Sequence, residues 1–321
     1  MPSNGRKVAI IGSGKIGYCW ALLFAAAGNE VSLYDIDRGR LDAALKQIDA
    51  QLRSLEKEGL ARSDEPVNVQ LARITLSTDL QQSLDGASYV QECAPENLDL
   101  KVKLFNEIDK LLTNEAAVVA SSTSAILPST LSKSLVHRSQ VLVAHPLNPP
   151  TYCPLVELVP APWTRDAIME TAYETMRNIG QNPVRLKREQ AGFAVNRLQY
   201  AMFAEAWRMC SDDVISVADV NKVVSCGLGL RWAFFGPIET LHMNAEGIVD
   251  HSHQYNAAVG SVTADYGPPP DLCEQPYLAK IAEELEQMIP MAKLAEYRDY
   301  RVKCLTELAK LKQRLEKERP T

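Results

Sequence analysis

The stretch that decides the fold reads Lys7-Val8-Ala9-Ile10-Ile11-Gly12-Ser13-Gly14-Lys15-Ile16-Gly17. Its first five residues, with the apolar run Val8 to Ile11, are typical of a buried strand, and a helix pattern follows the glycines through Ala27. Gly12 permits a tight turn, Gly14 lets the backbone approach a phosphate, and Gly17 allows the helix to pack closely on the strand. The helix N-terminus, with Lys15 and Ile16, offers unpaired N–H groups and a partial positive charge. The stretch therefore predicts a site for the pyrophosphate of a dinucleotide.

A second strand pattern, Val31 to Tyr34, ends at Asp35, eighteen residues after Gly17. A carboxylate at that point can accept hydrogen bonds from the adenosine ribose hydroxyls and would repel a 2′-phosphate. We therefore expect NAD rather than NADP as the cofactor. Arg38 keeps NADP open, because a nearby arginine could pair with its phosphate, and a flavin-binding or purely structural unit is the remaining alternative.

Strand and helix patterns keep alternating along the first part of the chain, as far as a strand at Val141 to Ala144. The polar stretch Glu56 to Arg73 interrupts this rhythm and predicts an inserted helical excursion. Strands separated by helices imply parallel pairing with right-handed crossovers. After Pro183 there are helix patterns but no convincing strand. The sequence thus predicts an α/β fold: an N-terminal Rossmann domain with a mostly parallel sheet at residues 1–189, followed by a mostly α-helical C-terminal domain at residues 190–321.

Composition narrows the class of protein. The chain has 321 residues, 46% of them hydrophobic, which suffices for two cores. A net charge of −6 is a poor match to nucleic acid or to an anionic membrane surface, and the longest apolar runs are too short to span a membrane. The seven cysteines are scattered and never spaced as Cys-x-x-Cys, and no secretory signal precedes the first strand. We therefore expect a cytoplasmic protein with free thiols and no metal site.

The next informative stretch, His145-Pro146-Leu147-Asn148-Pro149-Pro150, ends a strand at the edge of the sheet where ligands bind in such folds. Glu157 follows twelve residues after His145, and the proline-rich segment between them predicts a loop that could return Glu157 to the histidine. Oxidising an alcohol requires a general base, and a carboxylate on the other ring nitrogen would fix the tautomer of the imidazole. A capped structural histidine is an equal alternative on these residues alone.

Several segments together resemble the 3-hydroxyacyl-CoA dehydrogenase superfamily in content and spacing. They are Ser121-Ser122-Thr123-Ser124, His145-x-x-Asn148-Pro149, Glu157 and Gly192-Phe193-Ala194-Val195-Asn196-Arg197-Leu198. The resemblance covers nearly the whole chain and implies a dehydrogenase in which His145 is the base and Glu157 is its partner. It also implies that Ser124 and Asn196 bind the substrate oxygen, and that Ser124 can meet the nicotinamide.

The segment Glu96-Asn97-Leu98-Asp99-Leu100-Lys101 is similar to the part of that superfamily that surrounds the NAD ribose. The resemblance implies Glu96 and Lys101 as cofactor contacts.

Segments in the second half of the chain resemble one branch of the superfamily, whose members oxidise L-gulonate to 3-dehydro-L-gulonate with NAD. They include Asn196-Arg197-Leu198-Gln199-Tyr200-Ala201, Gly227-Leu228-Gly229-Leu230-Arg231 and Asn244-Ala245-Glu246-Gly247. The resemblance implies a small hydroxy acid as substrate and a homodimer that associates through the helical C-terminal domain.

Two features bear on the substrate. The excursion Glu56 to Arg73 holds three basic and four acidic residues, whereas a site for the phosphates of coenzyme A should be basic. Arg231, in the glycine-rich turn predicted for Gly227 to Gly236, could clamp a substrate carboxylate with two parallel hydrogen bonds, although a salt bridge would explain it as well.

Three other functions stay open. The chain could be a 3-hydroxyacyl-CoA dehydrogenase, or an L-carnitine dehydrogenase in which Trp232 and its aromatic neighbours hold the trimethylammonium group. It could also be a structural protein that retains NAD binding, because relatives of this family have been recruited as lens crystallins.

Overall fold

The computed structural model describes residues 5–268, 270–316 and 318, and this described part contains one sheet and a series of helices. The strands are β1 (Lys7–Ile11), β2 (Glu30–Tyr34), β3 (Ile74–Ser77), β4 (Tyr89–Glu92), β5 (Val118–Ser121), β6 (Val141–Pro146), β7 (Leu155–Pro160) and β8 (Asn182–Arg185). The helices are α1 (Lys15–Ala26), α2 (Arg38–Lys57), α3 (Val67–Ala72), α4 (Leu80–Leu84), α5 (Leu98–Leu111), α6 (Pro128–Ser132), α7 (Asp166–Asn178), α8 (Val195–Ser211), α9 (Val217–Val223), α10 (Gly229–Trp232), α11 (Pro237–Met243), α12 (Ile248–Ala264), α13 (Tyr277–Met288) and α14 (Leu294–Glu316).

The chain divides into two compact units, Met1–Arg197 and Leu198–Thr321, which we call the N-terminal and the C-terminal unit. All eight strands lie in the N-terminal unit, and the described part of the C-terminal unit is helical. This confirms the predicted fold class. The boundary predicted after Glu189 lies a few residues before the division between the units.

The sheet has the strand order β3-β2-β1-β4-β5-β6-β7-β8, and β1 to β6 are parallel. The order of the strands reverses between β1 and β4, so the loops after these two strands flank a crevice where such folds bind ligands. Four of the five residues of β1 are buried, and α1 buries Trp20 and Phe24 against the sheet, with the ring of Phe24 5.4 Å from that of Tyr89. These apolar contacts fix the glycine turn between β1 and α1 at the crevice.

The connection between His145 and Glu157 differs from the prediction. Only residues 147–154 form a loop, because β7 pairs with β6 in antiparallel register and places Glu157 directly opposite His145. The predicted loop is thus confirmed in returning Glu157 to His145, but it is shorter than expected because β7 begins at Leu155. Pro154 and Pro160 obscured this strand in the sequence, yet both are compatible with it, since one precedes β7 and the other ends it.

The C-terminal unit has its own small core, formed by Cys210, Val217 and Ile281 with partly buried neighbours. Ser216 caps α9, since its side-chain oxygen accepts a hydrogen bond from the Asp219 N–H at 3.1 Å. The glycine-rich turn expected around Arg231 is wrong: a π-helical turn at Val224–Leu228 leads directly into α10. Within the described residues, no helix combines the length and apolar character that crossing a membrane requires.

Candidate active site

An imidazole and a carboxylate meet at the carboxyl end of β6. Residues directly opposite each other in an antiparallel pair project to the same face, so the register of β6 and β7 brings His145 and Glu157 together. Glu157 Oε2 lies 2.7 Å from His145 Nδ1, and both side chains are buried. An ionised carboxylate only accepts hydrogen bonds, so in the neutral imidazole Nδ1 carries the proton and Nε2 keeps its lone pair. The second ring nitrogen can therefore accept a proton from a ligand.

The other oxygen of Glu157 ties this pair to the start of α8. Glu157 Oε1 accepts hydrogen bonds from the backbone N–H groups of Ala194 and Val195, at 2.7 and 2.8 Å. These donors lie at the N-terminus of a helix, where a negative charge is stabilised. The carboxylate is thus held from two sides, which fixes its orientation toward His145.

Phe193 forms a wall beside the imidazole, with its ring centroid 5.7 Å from that of His145. Its side chain is buried against Val143 and Val159. The backbone takes positive φ angles at Gly192 and Phe193, +75° and +49°, which turns the chain into α8. Phe193 lay within a family segment of the sequence, but nothing in the residue pattern predicted that its ring would contact His145.

Ser124 and Asn196 also come together in the N-terminal unit. Asn196, in the first turn of α8, donates from Nδ2 to the Ser124 carbonyl at 2.7 Å, and the Ser124 N–H donates to Glu96 Oε1 at 3.1 Å. The Ser124 backbone is therefore held on both sides. Its hydroxyl is exposed and has no hydrogen-bond partner in the described part of the chain, so it is available to a ligand.

The glycine turn fits a dinucleotide. Gly12 has φ of +107°, and a Cβ there would lie 2.8 Å from the Cys93 carbonyl group; a Cβ on Gly17 would lie 1.8 Å from Gly12 O. A Cβ on Gly14, in contrast, would meet no atom within 4 Å, which leaves open space in front of the turn. No side chain caps α1, so the N–H groups of its first turn, at Lys15 and Ile16, remain available for phosphate oxygens.

Asp35 follows the last residue of β2, and Ser13 of the glycine turn orients it. Its Oδ2 accepts hydrogen bonds from Ser13 N–H at 3.0 Å and from Ser13 Oγ at 2.7 Å. Burial opposes ionisation of Asp35, but these bonds, the Asp37 N–H and the charge of Arg40 outweigh it and hold the pKa of the carboxyl below its ordinary value. The group at this position is therefore an anion at neutral pH.

Glu96 and Lys101, the two cofactor contacts implied by the resemblance, have different surroundings. Asn97 caps α5 by accepting the Leu100 N–H, which leaves Glu96 in the preceding loop with a half-exposed side chain. Lys101 lies on the inner face of α5 with Phe105 and Ile108, and its ammonium contacts Glu92 at 2.6 Å. The Lys101 ammonium thus lies on the buried side of the loop that precedes α5, whereas Glu96 lies on its exposed side.

Arg231 is exposed in α10 and forms no ion pair with any described residue.

Burial raises the pKa of Cys19 to about 12 and also raises that of Cys93, so neither thiol is a nucleophile at neutral pH. The described residues include no group of three or more histidine, cysteine or acidic side chains arranged to hold a metal ion.

The comparisons with known proteins match both parts of the chain. Residues 7–190 match the NAD binding domain of 3-hydroxyacyl-CoA dehydrogenase, and residues 192–283 match the C-terminal domain of that family. Lambda-crystallin homologues of Bos taurus and Homo sapiens are 44% and 41% identical, over 96% of this chain and 96% and 97% of their own length. The resemblance predicted from the sequence is thereby confirmed.

More distant relatives include enzymes with named substrates. L-carnitine dehydrogenase of Oceanobacillus iheyensis is 32% identical over 74% of this chain and 76% of its own length. The crystal structure of 5-formyl-3-hydroxy-2-methylpyridine 4-carboxylic acid 5-dehydrogenase, described as an NAD+-dependent dismutase, superposes with a TM-score of 0.79 at 25% identity and covers 97% of this chain and 98% of that one. With the glycine turn, both family domains and full-length relatives in agreement, the chain belongs to the 3-hydroxyacyl-CoA dehydrogenase family of NAD-dependent oxidoreductases.

Proposed function

We propose that this chain oxidises L-gulonate to 3-dehydro-L-gulonate with NAD, as a cytoplasmic enzyme. The observation that carries the proposal is the 2.7 Å contact between His145 Nδ1 and Glu157 Oε2 at the carboxyl edge of the sheet. The resemblance of segments in the second half of the chain to the L-gulonate branch supports the choice of substrate. Seven free cysteines support a reducing compartment.

The cofactor site comprises the glycine turn, the acid after β2 and the loops after β4 and β5. The residues proposed to contact NAD are Gly12, Gly14, Lys15, Ile16, Gly17, Asp35, Glu96 and Ser124. Lys101, the other contact implied by the resemblance, is 1% exposed and is proposed to act through the loop that it binds. NAD, when bound, supplies the nicotinamide ring that accepts a hydride. Asp35 favours NAD over NADP because an anion at that position repels a 2′-phosphate.

His145 acts as the general base in this proposal. Its Nε2 takes the proton of the substrate hydroxyl as the carbon–hydrogen bond gives up its hydride, and a carbonyl group forms. The positive charge that develops on the imidazole is stabilised by Glu157, whose own orientation is fixed by the N-terminus of α8. Ser124 and Asn196 hold the reacting oxygen by hydrogen bonds, so that the hydroxyl proton faces Nε2.

The surroundings of the excursion at residues 56–73 favour a small acid over an acyl-CoA. Two of its three basic side chains are already bound: Arg62 donates to the carbonyl groups of Thr151 and Gly180, and Arg73 forms a bidentate pair with Glu65 at 2.6 and 2.7 Å. Only Lys57 is left there for the phosphates of coenzyme A. In contrast, the unpaired guanidinium of Arg231 suits a substrate carboxylate.

L-carnitine is the second candidate. The aromatic side chains of Trp232, Phe234 and Phe235 are partly exposed in the C-terminal unit, and aromatic faces attract a trimethylammonium group. Lys312 Nζ already lies 5.6 Å from the centre of the Phe234 ring, so the cation of carnitine would compete for that face.

We also propose that the protein is a homodimer, with a second copy of this chain covering α12. No residue of α12 is buried, and Ile248, Tyr255, Val259 and Val262 form one apolar stripe because they recur at heptad spacing. An apolar stripe of this kind on a soluble protein marks an association surface.

A substrate panel tests the function. Purified protein should reduce NAD rapidly with L-gulonate and at least about tenfold more slowly, by kcat/KM, with L-carnitine or 3-hydroxybutyryl-CoA. The measurement is NADH absorbance. The variant H145Q is the control, because it keeps a polar side chain of similar size but lacks a proton-accepting nitrogen, and it should lose activity while still binding NADH. Binding of NADH without turnover of any of the three would favour a structural protein instead.

Replacing Asp35 should change cofactor preference. We expect D35A to raise the KM for NAD by about tenfold while that for NADP stays the same or falls, because the anion that repels the 2′-phosphate is gone. The matched control is D49A, which removes an acid further along α2 that pairs with Arg53 and not with Arg38. An unchanged ratio of the two KM values in D35A would refute the role of Asp35.

Replacing Arg231 should weaken substrate binding alone. We expect R231M to raise the KM for L-gulonate by about 30-fold or more, through loss of a charged bidentate contact, and to leave the dissociation constant of NADH unchanged. R231K should give an intermediate KM, because lysine keeps the positive charge but cannot donate two parallel hydrogen bonds to a carboxylate. R301M, at another exposed arginine of the C-terminal unit, serves as the control; equal KM values in R231M and R301M would remove Arg231 from the site.

The oligomeric state tests the dimer. Sedimentation equilibrium should give twice the chain mass for the wild type and mainly the single chain mass for V259R, because a charge in the apolar stripe cannot be buried without a partner. Ala257 lies on the opposite face of α12, so A257R should remain dimeric. A monomeric wild type, or equal behaviour of the two variants, would contradict the proposed interface.

A further inference from the structure

Glu92, the last residue of β4, is a completely buried carboxylate that the proposed chemistry does not use. Its Oε1 accepts hydrogen bonds from Lys101 Nζ and from the Ala94 N–H, both at 2.6 Å. Its Oε2 accepts the Ser121 hydroxyl at 2.5 Å. Burying a charge costs desolvation free energy even where three donors compensate for it. The arrangement around Glu92 therefore indicates a role beyond packing.

Lys101, the cation of this pair, is 1% exposed. Besides Glu92, its ammonium donates to the Ala94 carbonyl at 3.0 Å and lies 3.6 Å from Glu96 Oε2. All of these partners belong to β4 or to the loop of residues 93–97. The ammonium therefore binds that loop from its buried side.

The same network reaches the loop that carries Ser124. Ser121 Oγ accepts the Thr123 N–H at 3.2 Å, and Thr123 Oγ1 donates to Glu96 Oε1 at 2.5 Å. Glu96 Oε1 also accepts the Ser124 N–H. Two carboxylates thus connect the loops at residues 93–97 and 121–124. Glu92 connects them where they leave the sheet, and Glu96 connects them at the surface.

The loop at residues 93–97 also packs on the glycine turn. The Cys93 N–H donates to the Ile11 carbonyl at 2.7 Å, and a Cβ on Gly12 would lie only 2.8 Å from the Cys93 carbonyl group. A displacement of this loop would therefore move atoms that border the pyrophosphate site.

We propose that Glu92 is a positioning residue which, with Lys101, fixes the loop of residues 93–97 against both the glycine turn and Ser124. This inference rests on the proposed NAD-dependent function. Removing the charge of Glu92 leaves the buried ammonium with the more distant, half-exposed Glu96 as its acidic partner, and the loop shifts as the ammonium moves toward that carboxylate and water. Cofactor affinity and the orientation of Ser124 change together as a result.

The test is E92Q in the full-length protein, measured by NADH binding in the absence of substrate and by kcat. E92Q should weaken NADH binding by about tenfold or more and lower kcat by a similar factor. The matched control is D109N. Asp109 lies near the other end of α5, where its largely buried carboxylate accepts the N–H groups of Val136 and His137, both at 2.8 Å. D109N should lower the melting temperature but leave NADH affinity and kcat within about twofold of the wild type.

If E92Q does not fold, S121A replaces it, because this variant removes one donor to Glu92 and keeps the ion pair. S121A should weaken NADH binding by about threefold. Wild-type affinity in E92Q, or in S121A where E92Q is unfolded, overturns the inference, as does an equal loss in D109N. A wild-type protein that binds NADH but does not oxidise L-gulonate contradicts the proposed substrate alone, since the binding comparison still decides the role of Glu92. A wild-type protein that binds no NADH overturns both.

Discussion

The arrangement of the site depends on the carboxylate of Glu157. A buried carboxylate is tolerated only where donors compensate for lost hydration, and losing one partner of a buried pair costs about 3–5 kcal/mol. Glu157 meets this requirement with the imidazole of His145 and the N–H groups of Ala194 and Val195. These donors come from a strand and from the start of a helix that are distant in sequence. The need to satisfy one charge thus fixes both elements relative to the sheet.

Asn196 extends this arrangement by one residue. It follows the donors to Glu157 along α8, and its amide holds the carbonyl of Ser124. The proposed base and the proposed oxygen-binding residues therefore share one rigid support, the first turn of α8. Rigid support of this kind limits the entropy that a reaction must overcome, because the reacting groups are oriented before substrate arrives.

Charge is distributed differently in the two regions that bear on specificity. At the site, buried acids are satisfied by donors within the chain: Glu92 by Lys101, Asp35 by Ser13, and Glu157 by His145. In the excursion at residues 56–73, two arginines are likewise bound within the chain. Arg231 is the contrasting case, an exposed guanidinium that forms no ion pair with the described residues. Such a group gains most from an anionic ligand, which agrees with the small acid that we propose as substrate.

The sequence by itself determined the glycine turn, the strands and helices around it, Asp35 and the helical character of the second half, because these features depend on residues close together in the chain. It also indicated His145 and Glu157 as a pair joined by a returning loop, but it did not reveal β7, because the apolar run of that strand lies between prolines. Only the tertiary structure decided that Lys101 faces inward to Glu92, that Phe193 borders the imidazole, and that Arg231 lies on a helix rather than in a turn. The physical reason is that local periodicity reports which face of an element is apolar, whereas the partner of a buried charge is chosen by elements that meet only after folding.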